Sequence, residues 1–207
     1  MINTQLMARG ISDERVLTAM ATVPRHLFVD EGLRDQAYSD NPLPIGFRQT
    51  ISQPYIVALM TESLELKGTE KVLEIGTGCG YQTAILAQLA ERVFSIERIA
   101  SLAFRAQRTL DSLHSYNILI RVGDGTYGWS EEAPFDAIIA TAGSPKIPEI
   151  LMGQLAIGGK MIIPVGSQSS QKLMEVTRLS EEPGDFRTED ICDCRFVALI
   201  GEHGWKD

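Results

Sequence analysis

From Lys71 onward, short apolar runs alternate with amphipathic stretches, whereas the first 66 residues show no strong period-two alternation. Runs at 71–75, 92–97, 117–122, 135–141 and 160–165 predict strands, and the periodic stretches at 80–90, 99–114 and 146–155 predict helices. The nearly unbroken apolar character of Phe135–Ala140 and Met161–Val165 is expected of parallel strands buried on both faces. After Gly166, residues 172–180 and 191–200 read as two strands joined by the acidic turn Glu181–Asp185, which suggests an antiparallel hairpin at one edge. Upstream, Ser12-Asp13 can cap a helix that turns Val16, Leu17, Met20 and Val23 to one side, and Pro54 can open another. The pattern predicts one α/β domain with a doubly wound, mostly parallel sheet. A helical cover (1–66), a ligand-binding core (67–166) and C-terminal strands (167–207) divide it.

Composition narrows the partners. The chain has 207 residues, an apolar fraction of 44% and a net charge of −8, so it lacks the basic footprint of a nucleic-acid binder. No apolar run is long enough to span a bilayer, and the first residues lack a signal-peptide pattern. Three cysteines and no export signal point to reduced thiols in a cytoplasm. A monomer without nucleic-acid or membrane partners is the expectation.

The densest chemistry lies at Val72–Gly80, where a short apolar run with an acid is followed by glycines at 76, 78 and 80. Such glycines allow positive φ and bring a ligand within contact of the main chain. Two more predicted strands end in acids: Glu97 could hold a ribose diol, and Asp124, between Gly123 and Gly125, could accept from an adenine amine. A nicotinamide site is the rival. Its Gly-x-Gly-x-x-Gly rests a pyrophosphate on a helix N-terminus, but here the third glycine comes one residue early and position 81 is Tyr. Glu74 makes little sense beside a pyrophosphate, yet could orient an amino group or water. The spacing favours S-adenosyl-L-methionine over an oxidoreductase cofactor.

The segment Glu74-x-Gly-x-Gly-x-Gly80 with Glu97 and Asp124 resembles the successive cofactor motifs of the class I, Rossmann-like methyltransferases. After the fourth strand, Ala140–Pro145 lacks the Asn/Asp-Pro-Pro-Tyr motif of amine methylases. Upstream, Asp40–Gly46 followed by Phe-Arg-Gln-Thr-Ile-Ser52 resembles the signature of the protein-L-isoaspartate O-methyltransferase family. The resemblance extends over nearly the whole chain, through Val23-Pro-Arg25, Arg121–Gly125, Pro134–Ile139, Ile162–Gly166 and Arg195–Ile200.

That resemblance implies methyl transfer from S-adenosyl-L-methionine, leaving S-adenosyl-L-homocysteine, to the free α-carboxylate of isoaspartyl residues in damaged proteins and peptides. It places the active-site serine on Ser52. Cofactor contacts fall on Gln49, Thr50, Ile51, Glu74, Gly76, Thr77, Gly78, Cys79, Gly80, Glu97, Arg98, Asp124 and Gly125, with no metal. A binding module without turnover is a third reading, opposed by the intact Gln49–Ser52 segment.

Arg48 departs from the family, which usually has Gly before Gln-Thr-Ile-Ser. It reads as a solvent-facing loop residue; the sharper alternative is contact with the substrate carboxylate. Cys192 and Cys194, two apart on a predicted strand, share one face and read as core packing, and Cys79 as a small filler in the turn. His26, His114 and His203 read as structural, with His203 near the substrate if the tail covers the site.

Overall fold

The computed structural model describes residues 1–206, and Asp207, the end of the expected domain and tail, lies outside the described residues. The N-terminal region contains short helical turns at Ile2–Leu6, Met7–Arg9, Arg25–Phe28 and Glu31–Gln36, helices α1 (Glu14–Thr22) and α2 (Pro54–Ser63), and strands β1 (Leu43–Gly46) and β2 (Gln49–Ile51). Asp13 caps α1 by accepting from Arg15 N at 2.8 Å and Val16 N at 3.4 Å, and Pro54 occupies the first turn of α2.

Then come β3 (Lys71–Ile75), α3 (Tyr81–Ala87), β4 (Arg92–Glu97), α4 (Ala100–Ser112), β5 (Ile118–Val122), β6 (Phe135–Ala140), α5 (Glu149–Met152), β7 (Leu155–Gly166), β8 (Gln171–Arg178) and β9 (Phe186–Cys194). The large sheet has the order β5-β4-β3-β6-β7-β8-β9, parallel from β5 through β7 and antiparallel from β7 to β9. The order reverses between β3 and β6, which makes the carboxyl ends of these strands the natural place for a ligand.

Alternate residues of the central strands feed two cores. Val72, Ala137, Ile139 and Ile162 pack on one face with Leu6, Met20 and Val57 of the cover, while Leu73, Ile75, Phe94, Phe135 and Ile138 fill the other. Burial of the side chains larger than Ala137 contributes about 1.5–3 kcal/mol each before entropy is charged against it.

Four sequence expectations shift. The helix expected at 146–155 is a single turn, because Pro145 and Pro148 delay it and Gly153 follows its last residue. β7 starts five residues before the expected 160. Its pairing with β6 jumps between Phe135↔Leu155 and Ala137↔Lys160, where Gly158 takes φ +77° and the strand bulges. β9 covers Phe186–Cys194, not 191–200; residues beyond it leave the sheet and cross the carboxyl ends of the central strands. The β1–β2 hairpin has no counterpart in the sequence expectations.

Candidate functional site

One cavity opens where β3, β4 and β6 end. Its floor is the Gly76–Cys79 turn; Glu97, Arg98 and Gly125 line one side, and Thr141 and Ala142 another. Gln49–Ser52 at and just beyond β2 and the strap Val197–Ile200 complete the wall.

The turn is glycine for steric reasons that differ by position. Gly76, Gly78 and Gly80 take φ of +97°, +56° and +91°, a region that costs other residues roughly 1–2 kcal/mol. Gly76 N donates to Ile96 O at 2.8 Å, pinning the turn to β4. A Cβ on Gly76 would collide with Thr141 Oγ1, which itself donates to Gly76 O at 2.6 Å. Gly80 caps α3 and faces Ala106 and Leu110 of α4, so it shapes the turn from behind the cavity.

The three acids have three different environments. Glu97, 6% exposed, lines the cavity; Oε2 accepts from Gly78 N at 2.8 Å and Oε1 from Ile99 N at 2.9 Å. Each oxygen keeps a lone pair, so the fixed carboxylate can still accept from a ligand diol. Glu74 is fully buried beneath the turn and off the cavity wall. Its Oε2 accepts from Thr83 Oγ1 and Ser95 Oγ, both at 2.6 Å, and Ser95 Oγ lies 2.5 Å from Thr77 Oγ1. Desolvation outweighs these bonds and pushes the Glu74 pKa up to about 8. The expected contact of Glu74 with an amino group or water in the cavity is not what this geometry provides; Glu74 braces the turn from below.

Asp124 also lies off the wall. Its Oδ1 accepts from Thr126 N and Thr126 Oγ1, and its Oδ2 accepts from Glu202 N at 2.8 Å. The carboxylate expected at an adenine amine therefore clasps the C-terminal strap, and these bonds hold its pKa below the ordinary carboxylate value against its partial burial. Gly125 does reach the wall, and a Cβ there would come within 2.6 Å of Ile75 Cγ2. The strap is tied down further by Leu199 N donating to Gly143 O at 2.8 Å and Trp205 Nε1 to the same carbonyl at 3.1 Å.

A second depression adjoins the first, lined by Pro42, Gln53 and Ile56 on one side and 193–196 on the other. The two share Thr50, Ser52, Thr141 and Val197. These four form a neck of three hydroxyl-bearing side chains and one valine, with no charged group. Ser52 Oγ makes no hydrogen bond to the described residues, while its carbonyl accepts from Arg25 Nη2 at 2.7 Å. Arg25 is completely buried; Nε donates to Ala37 O at 2.7 Å, and the guanidinium stands 4.7 Å from the Tyr81 ring centre. Burial pulls the Arg25 pKa down and that of Tyr81 up to about 12.

The sequence expectations give no role to Arg25, Thr141 or Val197–Ile200, although Val23–Arg25 and Arg195–Ile200 lie in motifs that resemble the family. Val23-Pro-Arg25 was a signal of a sort, since an arginine within an otherwise apolar stretch needs buried partners. No local pattern marks Thr141.

Cys79 lines the cavity as a buried thiol whose pKa is raised to about 11 by desolvation, so it is no nucleophile at neutral pH. Cys192 and Cys194 pack partly against the core, and Cys194 also borders the second depression. His203 stacks edge-on against Tyr127 at 4.9 Å, outside both cavities. Arg48 is exposed at the hairpin tip, off both walls; it and Phe47 take φ of +57° and +51° in the two-residue loop closed by the Gly46↔Gln49 pair.

Comparison with known proteins agrees with this architecture. The family model for protein-L-isoaspartate(D-aspartate) O-methyltransferase matches residues 1–204. A protein-L-isoaspartate O-methyltransferase from Syntrophus aciditrophicus is 64% identical over 206 residues, spanning 100% of this chain and 94% of the relative. One from Geobacter metallireducens is 58% identical, spanning 99% and 94%. Among solved structures, a Plasmodium falciparum chain assigned to the same enzymes and complexed with S-adenosyl-L-homocysteine superposes with a TM-score of 0.83 at 28% identity, covering 96% of each chain.

Proposed function

We propose that the two joined cavities of this chain, which belongs to the protein-L-isoaspartate O-methyltransferase family, hold the donor and the acceptor of one reaction, with the methyl group passing through the neck. The reaction is methylation of the free α-carboxylate of L-isoaspartyl residues in damaged proteins and peptides. The ester then closes to a succinimide that opens in part to aspartate. The observation that carries the assignment of the two cavities is the four-residue wall they share.

The first cavity suits the donor. Its glycines leave no Cβ at Gly76 and Gly78, which lets a ligand lie against the main chain, and the fixed Glu97 carboxylate offers acceptors to a ribose. Gln49–Ser52 and the strap would cover a bound S-adenosyl-L-methionine, which supplies an electrophilic methyl group on a sulfonium sulfur. Glu74, Gly80 and Asp124 support that cavity from outside its wall.

In the neck, the chain's task is alignment. An acceptor carboxylate with a pKa of about 4 is already ionised at neutral pH, so no side chain need remove a proton. Charge disappears as the methyl moves from a cation to an anion, and a cation clamped on the carboxylate would favour the ground state. The uncharged neck avoids that penalty. The Ser52 hydroxyl, free to donate, orients one carboxylate oxygen, and Arg25 fixes the main chain that carries it. Holding the reacting atoms in line and away from water supplies most of the acceleration.

The three free cysteines fit a cytoplasmic setting, and among the described residues no helix is long and apolar enough to cross a membrane. The test uses methyl-labelled S-adenosyl-L-methionine with isoaspartyl and aspartyl forms of one peptide. Base-labile label on the isoaspartyl form alone is expected; no label, or equal label on both, overturns the assignment.

A further inference from the structure

Thr141 follows the last residue of β6 and borders both cavities. Its main-chain N–H donates to Ile75 O at 2.9 Å, continuing the β3–β6 pairing one step past the sheet. Its hydroxyl lies 3.1 Å from Ile75 O and 2.6 Å from Gly76 O, both acceptors only. The hydroxyl proton is therefore committed to the glycine turn and cannot be offered to an acceptor in the neck. Gly76 in turn has no room for a Cβ because the Thr141 oxygen occupies that space. One side chain thus holds the carbonyl of the donor-side turn while its other surface faces the acceptor side.

We propose that Thr141 is a positioning residue for methyl transfer: its hydrogen bond to Gly76 O sets how far the donor-side turn stands from Ser52 across the neck. The committed proton also bears on acceptor chemistry. The hydroxyl can take no proton from an incoming group, since its lone pairs are weakly basic and its donor is used inward. An acceptor that arrives ionised, such as a carboxylate, needs no such group; a protonated amine does. Thr141 matches the position after β6 to an anionic acceptor while bracing the turn.

The inference rests on the isoaspartyl-methylating activity proposed above, and the wild-type protein is the control that separates the two. No methylation by wild type refutes the activity; an active wild type with an indifferent Thr141 refutes only the inference. Thr141→Val keeps the shape and removes the hydroxyl, and Thr141→Ser restores it. For T141V, kcat at saturating peptide should fall by about tenfold or more, since small misplacements of reacting groups cost rate steeply. KM for the peptide should stay within about twofold, because the hydroxyl does not contact the acceptor, and T141S should recover most of kcat. An unchanged kcat in T141V overturns the inference. So does a T141S variant as slow as T141V, which would mean that the methyl group's packing matters instead. Thermal melts accompany each variant; should T141V not fold, T141A paired with T141S gives the same reading.

Discussion

The cavity proposed to hold the donor and the groove proposed to receive the acceptor, called below the donor cavity and the acceptor side, are built on opposite principles, although they share a wall. On the floor and the Glu97 side of the donor cavity, the polar groups are already engaged: Gly76 N with Ile96 O, Glu97 with Gly78 N and Ile99 N, Thr77 with Ser95. Its shape is set by backbone, by absent Cβ atoms and by a buried carboxyl brace. The acceptor side adds scattered apolar surface from Pro42, Ile56 and Phe196 with the charged Asp193 and Arg195 beside it, while the unengaged Ser52 hydroxyl stands on the shared wall. A site for one invariant molecule can be preorganised throughout. A site for damaged residues in many sequence contexts can fix only what those contexts share, a carboxylate and its adjoining main chain.

The contrast can be broken most forcefully at Gly76. A Gly76→Ala change meets the Thr141 hydroxyl and places alanine at φ +97°. Affinity for S-adenosyl-L-homocysteine by calorimetry should fall by roughly 100-fold or more, because strain of about 1–2 kcal/mol adds to a steric clash at the turn. Binding within threefold of wild type would show that the turn is not preorganised.

Ser52→Ala probes the other side. It should lower kcat for an isoaspartyl peptide by roughly 10–100-fold, the range expected for a hydrogen bond of about 1.5–3 kcal/mol to a charged group. S-adenosyl-L-homocysteine affinity should remain within about twofold. A loss of product affinity matching the loss of rate would erase the division of labour between the two cavities.

Glu74 tests whether the donor brace titrates. Its pKa is raised from 4.5 to about 8, so between these values the folded protein keeps a proton that the unfolded chain has released. The group's stabilising contribution is full below pH 4.5, is lost as pH rises through 8, and then levels off. The slope is at most about 1.4 kcal/mol per pH unit. Glu74→Gln, which stays neutral, should gain thermal stability over wild type progressively from pH 5 to pH 9. A constant difference across that range would mean that the native carboxyl is ionised throughout.

The smallest effect belongs to Arg48, outside both cavities. Arg48→Gly should stabilise the fold by about 1 kcal/mol, the cost of a left-handed non-glycine residue less glycine's greater unfolded entropy, with kinetic constants unchanged. A change in peptide KM would bring the hairpin tip into the acceptor site.

What the sequence revealed follows the same divide. Apolar runs and the glycine turn are local signals, and β3, β4, β6 and the Gly76–Cys79 floor could be read directly. The β1–β2 hairpin could not, since its strands have four and three residues, one containing Pro44, and its tip is Phe47-Arg48 in place of an Asn-Gly-type turn. The start of β9 carries little signal, because Phe186–Asp190 is a polar edge strand with little apolar patterning. At Asp124 a carboxylate just past a strand end suggests a ligand, but its bond to the amide of Glu202, 78 residues away, leaves no mark in the local sequence. Thr141 and Arg25 act through main-chain carbonyls, and carbonyl positions leave no trace in residue type.

The strap has a consequence for synthesis. Val197–Ile200 form a side of the donor cavity, and their anchors extend to Glu202 and Trp205. During translation the glycine turn and its strands emerge long before these residues do. A nascent chain halted short of them would have the sheet but an open donor cavity, so capture of the methyl donor waits until residues about 120 positions beyond the glycine turn have emerged and folded over it.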